Sequence, residues 1–164
     1  MGKSVFVTVG TTKFDLLIET IVKDANVLHT LVDDLHIEKL ILQIGSSPMP
    51  SHETTPIPIQ FYQYKDSIEN DIQQADLVIS HAGAGTILQT LEANKPLLVV
   101  INEQLMNNHQ LEIAHVMEKQ GYLYFCTCAT LAETLKKFVN HRFEQYEKGN
   151  PLLFGRYLNE IMTE

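Results

Sequence analysis

Short apolar runs alternate with longer amphipathic segments along the chain. The runs are rich in β-branched residues, which is typical of strands buried on both faces of a sheet. The longer segments repeat their apolar positions every three or four residues, as helices with one buried face do. The pattern predicts strands at residues 4–9, 39–44, 59–62, 77–79, 97–101 and 123–127, and helices at residues 14–22, 25–35, 67–74, 86–93, 108–119, 130–139 and 151–162.

The alternation of strands and helices predicts an α/β fold with a doubly wound, mainly parallel sheet and ligands at the carboxyl ends of the strands. With 164 residues, 45% of them hydrophobic, the chain is expected to form one domain, and no internal repeat suggests another. Residues 46–58 contain four prolines and are predicted to form an exposed loop. The last predicted helix, 151–162, could pack on this domain or dock on a partner.

Small residues follow the strand predicted at 77–79. His81, Ala82, Gly83, Ala84 and Gly85 turn the chain into the next helix. Glycines let an anion approach the main chain, and a helix start adds free N–H groups and about half a positive charge. This stretch predicts a site for a nucleotide or another phosphate ester.

A second small-residue loop follows the first predicted strand. Gly10, Thr11 and Thr12 could donate hydrogen bonds to a phosphate, or they could form an ordinary tight turn. Polar residues also crowd the loop after residue 101, at Glu103, Gln104 and residues 107–110. They could build a site at the same edge of the sheet, or they could be a solvated loop with a helix cap.

Charge and composition exclude several classes of function. A formal net charge of −8 argues against binding to a nucleic-acid backbone. No apolar run is long enough to span a membrane. Leu88 occupies the third glycine position of a dinucleotide fingerprint, which disfavours an NAD-dependent oxidoreductase. The histidines lack metal-ligand spacing, so no metal is expected.

The two cysteines, Cys126 and Cys128, are two residues apart in the chain. That separation is too short for a relaxed disulfide, so they are interpreted as core thiols of a protein in the reducing cytosol.

Six motifs together are far more specific than any single glycine loop. They are VFVTVGTT (5–12), LILQIG (40–45), YKDSI (64–68), ADLVISHAGAGT (75–86), NKPLLVVIN (94–102) and LMNNHQ (105–110). With them the chain resembles the Rossmann-like, sugar-nucleotide-binding C-terminal half of the GT-B glycosyltransferases of family 28. Within this class it is similar to the small UDP-GlcNAc-binding subunits of two-protein transferases that act on dolichyl-pyrophosphate-GlcNAc.

The resemblance implies a role for each motif. The uracil would be read by backbone groups of Tyr64 and Lys65, and the ribose by Gln89, where the family usually has an acidic residue. The GlcNAc hydroxyls would contact Asn108, His109 and Gln110. The UDP diphosphate would be held by Gly10, Thr11, Thr12, His81, Gly83, Ala84, Gly85 and Thr86. UDP-GlcNAc is the implied donor substrate, and no cofactor is implied.

A GT-B enzyme has a second domain across its cleft, and a chain of this length has room for one half. The resemblance therefore implies a membrane-anchored partner that binds the lipid-linked GlcNAc acceptor and recruits this chain from the cytoplasm to the cytosolic face of the endoplasmic reticulum. The helix at 151–162 is predicted to take part in that contact. The implied reaction is an inverting β1,4 transfer of the second GlcNAc in N-glycan precursor synthesis. The general base is expected in the partner, with His81 as the alternative in this chain.

Another function stays open at this point. The chain could be a non-catalytic UDP-sugar-binding or regulatory module, for which the amide at Gln89 is a hint. Turnover in the presence of the partner would separate the two functions.

Overall fold

A computed structural model of the protein describes residues 2–104 and 108–146, with residues 108 and 109 described as backbone alone. The strands are β1 (Lys3–Thr8), β2 (Ile37–Gln43), β3 (Ile59–Tyr62), β4 (Leu77–His81), β5 (Leu97–Val100) and β6 (Tyr124–Cys126). The helices are α1 (Asp15–Lys23), α2 (Ala25–His29), α3 (Glu69–Gln74), α4 (Ala84–Glu92), α5 (Asn108–Lys119) and α6 (Leu131–Lys136). All the strand pairs are parallel, in the order β3-β2-β1-β4-β5-β6. The predicted doubly wound sheet is confirmed.

Each face of the sheet is covered by its own set of helices. Helices α1, α2 and α6 pack on one face and α3, α4 and α5 on the other. Alternate side chains of β1 accordingly enter different cores: Val5 and Val7 join the first, and Phe6 joins the second. Burial on both sides explains why the strands read as continuous apolar runs.

The second predicted helix, at 25–35, is two elements rather than one. The N-cap of α2 is Asp24, whose carboxylate accepts from the N–H groups of Asn26 and Val27 at 2.9 and 3.1 Å. A π-helical turn (Thr30–Asp34) follows, in which the Leu35 N–H donates a hydrogen bond to the Thr30 carbonyl at 3.0 Å. The Thr30 hydroxyl donates back to the carbonyl of Asn26 at 2.9 Å, the kind of local side-chain bond that competes with regular α-helix.

The spacing of Thr130 and Glu133 predicts a capping box at the start of the helix at 130–139, and this prediction is wrong. Thr130 instead forms a reciprocal capping box with Thr127 around a 3-10 turn (Cys128–Thr130), and it provides no side-chain cap to α6. Because the Thr130 hydroxyl is used one turn earlier, the helix predicted at 130–139 begins later and is shorter. The helix predicted at 67–74 likewise starts only at Glu69, because the Ser67 hydroxyl accepts the Glu69 N–H at 3.2 Å in the preceding turn.

No helix within residues 2–104 and 108–146 is long and apolar enough to cross a bilayer. The predicted helix at 151–162 lies outside the described residues, so its proposed docking role stays a prediction.

The chain reverses its direction of winding at the centre of the sheet. From β1 it proceeds outward to β2 and β3, and then returns across the sheet to β4 on the other side of β1. β1 and β4 are paired up to Thr8 and Ser80. Ligands of doubly wound sheets bind in the crevice at this point, beyond the carboxyl ends of the two strands. The loops after β1 and β4 therefore bound the candidate site.

Candidate functional site

The imidazole of His81 fills the space between the two central loops. A Cβ added to Gly10 would lie 2.9 Å from its Cε1, and one added to Gly83 would lie 2.5 Å from its Nε2. Gly10 also has a φ of 64°, in the left-handed region, which favours glycine. Both glycines are needed so that the ring can sit against the backbone of the two loops. The structure thus brings together three of the predicted site residues.

The environment of His81 favours the neutral form of its ring. Burial lowers the pKa of His81 below the usual 6.5, and an interaction with the Thr8 backbone acts in the opposite direction. Nδ1 is buried and has no hydrogen-bond partner among the described residues. A neutral imidazole has one donor and one acceptor nitrogen, so the ring can give one hydrogen bond to a ligand without carrying a charge.

The loop after β1 uses much of its own donor capacity. The N–H of Gly10 donates to the Thr8 hydroxyl at 2.9 Å, and the N–H of Thr12 donates to the Val9 carbonyl at 3.2 Å. The Thr12 hydroxyl also donates to the Val9 carbonyl, at 2.6 Å. Thr11, which is exposed, lies at the tip of the loop between these fixed positions. The contacts hold the main chain of the loop in one shape.

After β4, the Gly83 N–H donates to the His81 carbonyl at 2.8 Å, whereas the helix start that follows leaves its N–H donors available. Gly83 is the N-cap of α4, with φ −85° and ψ 122°, and no side chain makes a capping hydrogen bond there. The first N–H groups of an α-helix have no acceptor within the helix. At α4 these belong to Ala84, Gly85 and Thr86, three predicted ligands. A Cβ on Gly85 would meet nothing within 4 Å, which describes an open approach to this helix start. The arrangement suits an anion.

The loop after β2 supports the site, and the sequence reading overlooked it. Gly45 has a φ of 57°, and a Cβ there would lie 2.2 Å from the Thr12 carbonyl oxygen. That carbonyl accepts the Ser46 N–H at 3.2 Å, and the Ser47 hydroxyl accepts the Phe14 N–H at 2.8 Å. The β2 loop thus braces the β1 loop from behind. In the sequence, the position of Gly45 directly after a buried strand was the feature that could have indicated this supporting role.

The predicted base-reading residues follow β3, next to the β2 loop. The Tyr64 side chain is 69% exposed. The Lys65 ammonium lies 3.1 Å from a carboxylate oxygen of Asp71 and 4.2 Å from the centre of the Tyr62 ring. Asp71, on α3, is buried and was not predicted as a site residue.

The remaining predicted ligands lie on α4 and α5. Gln89 is half-buried and lines a cleft of about 210 Å³ between α3 and α4, together with Glu69 and Glu92. Gln110 is half-buried in the first turn of α5. Asn108 and His109 open α5, and their side chains lie outside the described part of the structure. Helix α5 follows β5, the neighbour of β4, so these positions belong to the same edge of the sheet.

The polar residues of the loop after β5 face a separate groove. Glu103 and Gln104 line it together with Asp15 and Leu16 of α1 and Cys128, and its volume is about 790 Å³. Leu16 is 57% exposed there. The structure therefore places these polar residues beside α1.

Neither cysteine forms a disulfide in the structure. Cys126 is buried and Cys128 half-buried, and burial raises the pKa of their thiols to about 12 and about 11. Such thiols are protonated at neutral pH and react slowly.

Comparisons with known proteins agree on one family. The model of the "Glycosyltransferase family 28 C-terminal domain" matches residues 4–154. The human "UDP-N-acetylglucosamine transferase subunit ALG13" is 53% identical over 132 residues, which are 79% of this chain but 11% of the human protein. The chain thus spans about a ninth of that relative. The subunit of the same name from Yarrowia lipolytica is 31% identical over 144 residues, 85% of this chain and 72% of the relative.

Solved structures give the same fold. An NMR structure of ALG13 has a TM-score of 0.74 and 26% identity, and covers 99% of this chain and 98% of that chain. MurG of Acinetobacter baumannii has a TM-score of 0.59 and 16% identity, over 84% of this chain and 40% of that enzyme. At that identity the likeness concerns the fold alone.

Proposed function

The chain belongs to the glycosyltransferase family 28 C-terminal domain family, and from this we propose that it is the UDP-GlcNAc-binding catalytic subunit of a two-protein transferase. The proposed reaction adds the second GlcNAc, in β1,4 linkage and with inversion, to dolichyl-pyrophosphate-GlcNAc. The human and Yarrowia relatives are named as subunits of a UDP-N-acetylglucosamine transferase. These names support UDP-GlcNAc as the donor and a role as one subunit of the enzyme.

The observation that carries the proposal is the pairing of two glycine loops around His81 at the reversal point of the sheet. Gly10 and Gly83 both press against the ring, and the uncapped start of α4 opens beside it. A diphosphate placed in this crevice would meet main-chain donors, a helix dipole and a neutral imidazole, all fixed before binding.

This arrangement suggests how the chain would contribute to transfer. When an acceptor hydroxyl attacks the anomeric carbon, negative charge grows on the departing UDP. Fixed donors at the start of α4 stabilise that charge more strongly in the transition state than in the ground state. The chain's own part is thus stabilisation of the leaving group. The general base is proposed to lie in the partner, because the described residues hold the His81 ring against the two loops that would bind the diphosphate.

The proposal includes a membrane-anchored, acceptor-binding partner that holds this chain at the cytosolic face of the endoplasmic reticulum. The word "subunit" in the names of the human and Yarrowia relatives supports a partner chain. In MurG, whose fold is similar, the likeness covers 40% of the enzyme. The segment 151–162 remains the predicted docking element.

The test is transfer of radiolabelled GlcNAc from UDP-GlcNAc to a dolichyl-pyrophosphate-GlcNAc analogue. It is run with this chain alone, with the candidate partner alone, and with both. Activity only in the combined sample is expected. Activity of the partner alone would overturn the catalytic role of this chain, and activity of this chain alone would place the base here, with His81 first to be tested.

Binding of UDP is measured in parallel by calorimetry. A combined sample that binds UDP but transfers nothing would favour a non-catalytic UDP-sugar-binding module. A chain that binds no UDP would contradict the proposal altogether.

A further inference from the structure

The Asp71 side chain connects helix α3 to two residues at the end of β3 and in the loop after it, Tyr62 and Lys65. This aspartate lies on α3 and is 8% exposed. One of its carboxylate oxygens accepts a hydrogen bond from the Tyr62 hydroxyl and another from the Lys65 ammonium, the latter at 3.1 Å. The same ammonium lies over the Tyr62 ring, 4.2 Å from its centre. The three side chains form a closed cluster of carboxylate, phenol and ammonium, called here the Asp71 cluster.

The backbone on the other side of this cluster is also fixed. The Ile44 N–H donates to the Tyr62 carbonyl and the Gly45 N–H to the Gln63 carbonyl, both at 2.9 Å. The chain is therefore held by the loop after β2 as far as residue 63 and held again at Lys65 by Asp71. Tyr64 lies between the two attachments, with 69% of its surface exposed. A short segment is thus presented to solvent with both ends anchored.

We propose that Asp71 is a positioning residue for base recognition, which sets the Tyr64–Lys65 main chain at the angle that reads the uracil edge. This inference rests on the proposed function, because it assumes that the donor carries a uracil. Asp71 would not touch the nucleotide, and it would act through Lys65 and Tyr62.

The chemistry of the cluster explains why a carboxylate is needed. A buried carboxylate has to be paired, and an ammonium and a phenol together satisfy it. Burial, and then the hydrogen bond and negative charge of Asp71, raise the pKa of Tyr62 above its usual 10, so the phenol keeps the proton it donates. Without the carboxylate, the half-exposed Lys65 side chain would return to solvent and release its main chain.

The test compares Asp71→Asn with the wild-type chain by calorimetry, using UDP, CDP and inorganic pyrophosphate as ligands. An asparagine keeps the size but not the charge. We expect UDP binding to weaken about tenfold, the equivalent of one hydrogen bond to a charged group. The preference for UDP over CDP should shrink by a similar factor, while pyrophosphate, which has no base, should bind as before.

Two further variants make the result specific. Asp66→Asn removes an exposed carboxylate from the same loop, and it should leave the UDP-to-CDP preference unchanged. Tyr62→Phe removes one of the two donors to Asp71 and should reduce the preference by a smaller factor. It also serves as the test if Asp71→Asn fails to fold.

The outcomes separate this inference from the proposed function. If the wild-type chain prefers UDP and Asp71→Asn keeps that preference, the inference is overturned and the proposed function stands. Equal losses for UDP and pyrophosphate would reduce Asp71 to a general structural role and also overturn it. A wild-type chain without UDP binding would overturn both.

Discussion

The two loops that meet at the centre of the sheet are built in opposite ways. In the loop after β1, the N–H groups of Gly10 and Thr12 are already donated inside the protein, and the β2 loop braces the turn from behind. In the loop after β4, Gly83 starts a helix whose first N–H groups have no side-chain cap. Internal hydrogen bonds hold the loop after β1 in a fixed conformation, whereas the helix start after β4 offers free N–H donors.

The difference shows how an anion site can have a rigid backbone and still keep N–H donors that have no acceptor within the protein. Free donors are costly when buried, so they are kept at a helix start that is open to solvent. The rigid loop beside them fixes the position of the anion and of the His81 ring. If this division is correct, changes in the two loops should have different effects on binding and on stability.

The largest effect is expected for Gly83→Ala. The backbone there tolerates alanine, but the new Cβ would lie 2.5 Å from His81 Nε2. The displaced ring and helix start should lower GlcNAc transfer on the order of 100-fold, since small misplacements of binding groups are that costly.

Two control variants are compared with Gly83→Ala by their melting temperatures. Gly85→Ala, which meets nothing within 4 Å, should not lower it. The double variant Gly83→Ala with His81→Ala should recover part of the stability lost in Gly83→Ala. No recovery would mean that the ring is not the obstacle.

A smaller and more selective effect is expected from the two threonines after β1. Thr11→Val should weaken UDP binding about tenfold, because its exposed hydroxyl is available to a charged phosphate. Thr12→Val should instead cost up to about 1 kcal/mol of unfolding free energy with little change in binding, because its hydroxyl already donates to Val9. Calorimetry and urea unfolding measure the two quantities. Similar binding losses in both variants would refute the division of roles.

A gain is expected one turn into α4, from Gln89→Glu. A carboxylate would accept ribose hydroxyls more strongly than an amide, and UDP affinity should rise about fivefold. Glu69 and Glu92 line the same cleft and limit the gain by repulsion. With 2′-deoxy-UDP as the ligand, the gain should fall. An equal gain for both ligands would assign Gln89 to something other than the ribose.

The smallest effect concerns pH and stability. Because His81 is held neutral, its folded pKa lies below the unfolded value, and the unfolded chain binds the extra proton. Stability should therefore decline as the pH falls below about 6.5, with a slope from this residue of at most about 1.4 kcal/mol per pH unit. The difference between wild type and His81→Asn in urea unfolding isolates this part. Parallel pH profiles would count against a buried neutral ring.

The fold and the central loops were predictable because the information is local. Buried parallel strands read as apolar runs, and the glycines around His81 follow such strands directly. The other ligands were predicted from the resemblance to family 28 alone, and their roles stay predictions. The side chains of two of them, Asn108 and His109, lie outside the described residues.

What could not be predicted depends on which of several possible side-chain contacts forms when the elements pack together. Asp71 looks like an ordinary acid in the first turn of a helix, where acids are common and exposed. Its burial arises only when α3 packs beside the end of β3. The capping box of Thr130 with Glu133 does not form for a related reason, because the Thr130 hydroxyl bonds with Thr127 instead. Local sequence patterns indicate which residues could form a contact, and tertiary packing determines which of these contacts forms.

The central place of β1 also has a consequence for synthesis on the ribosome. The first strand of the chain is flanked by β2 and by β4, and the Ser4 N–H donates to the Asp76 carboxylate, 72 residues later. One edge of β1 must stay open until that distant strand has emerged, and parallel pairings of this range form slowly. The nascent chain therefore carries an unpaired apolar edge while these 72 residues are translated, a period in which chaperones would protect it from aggregation.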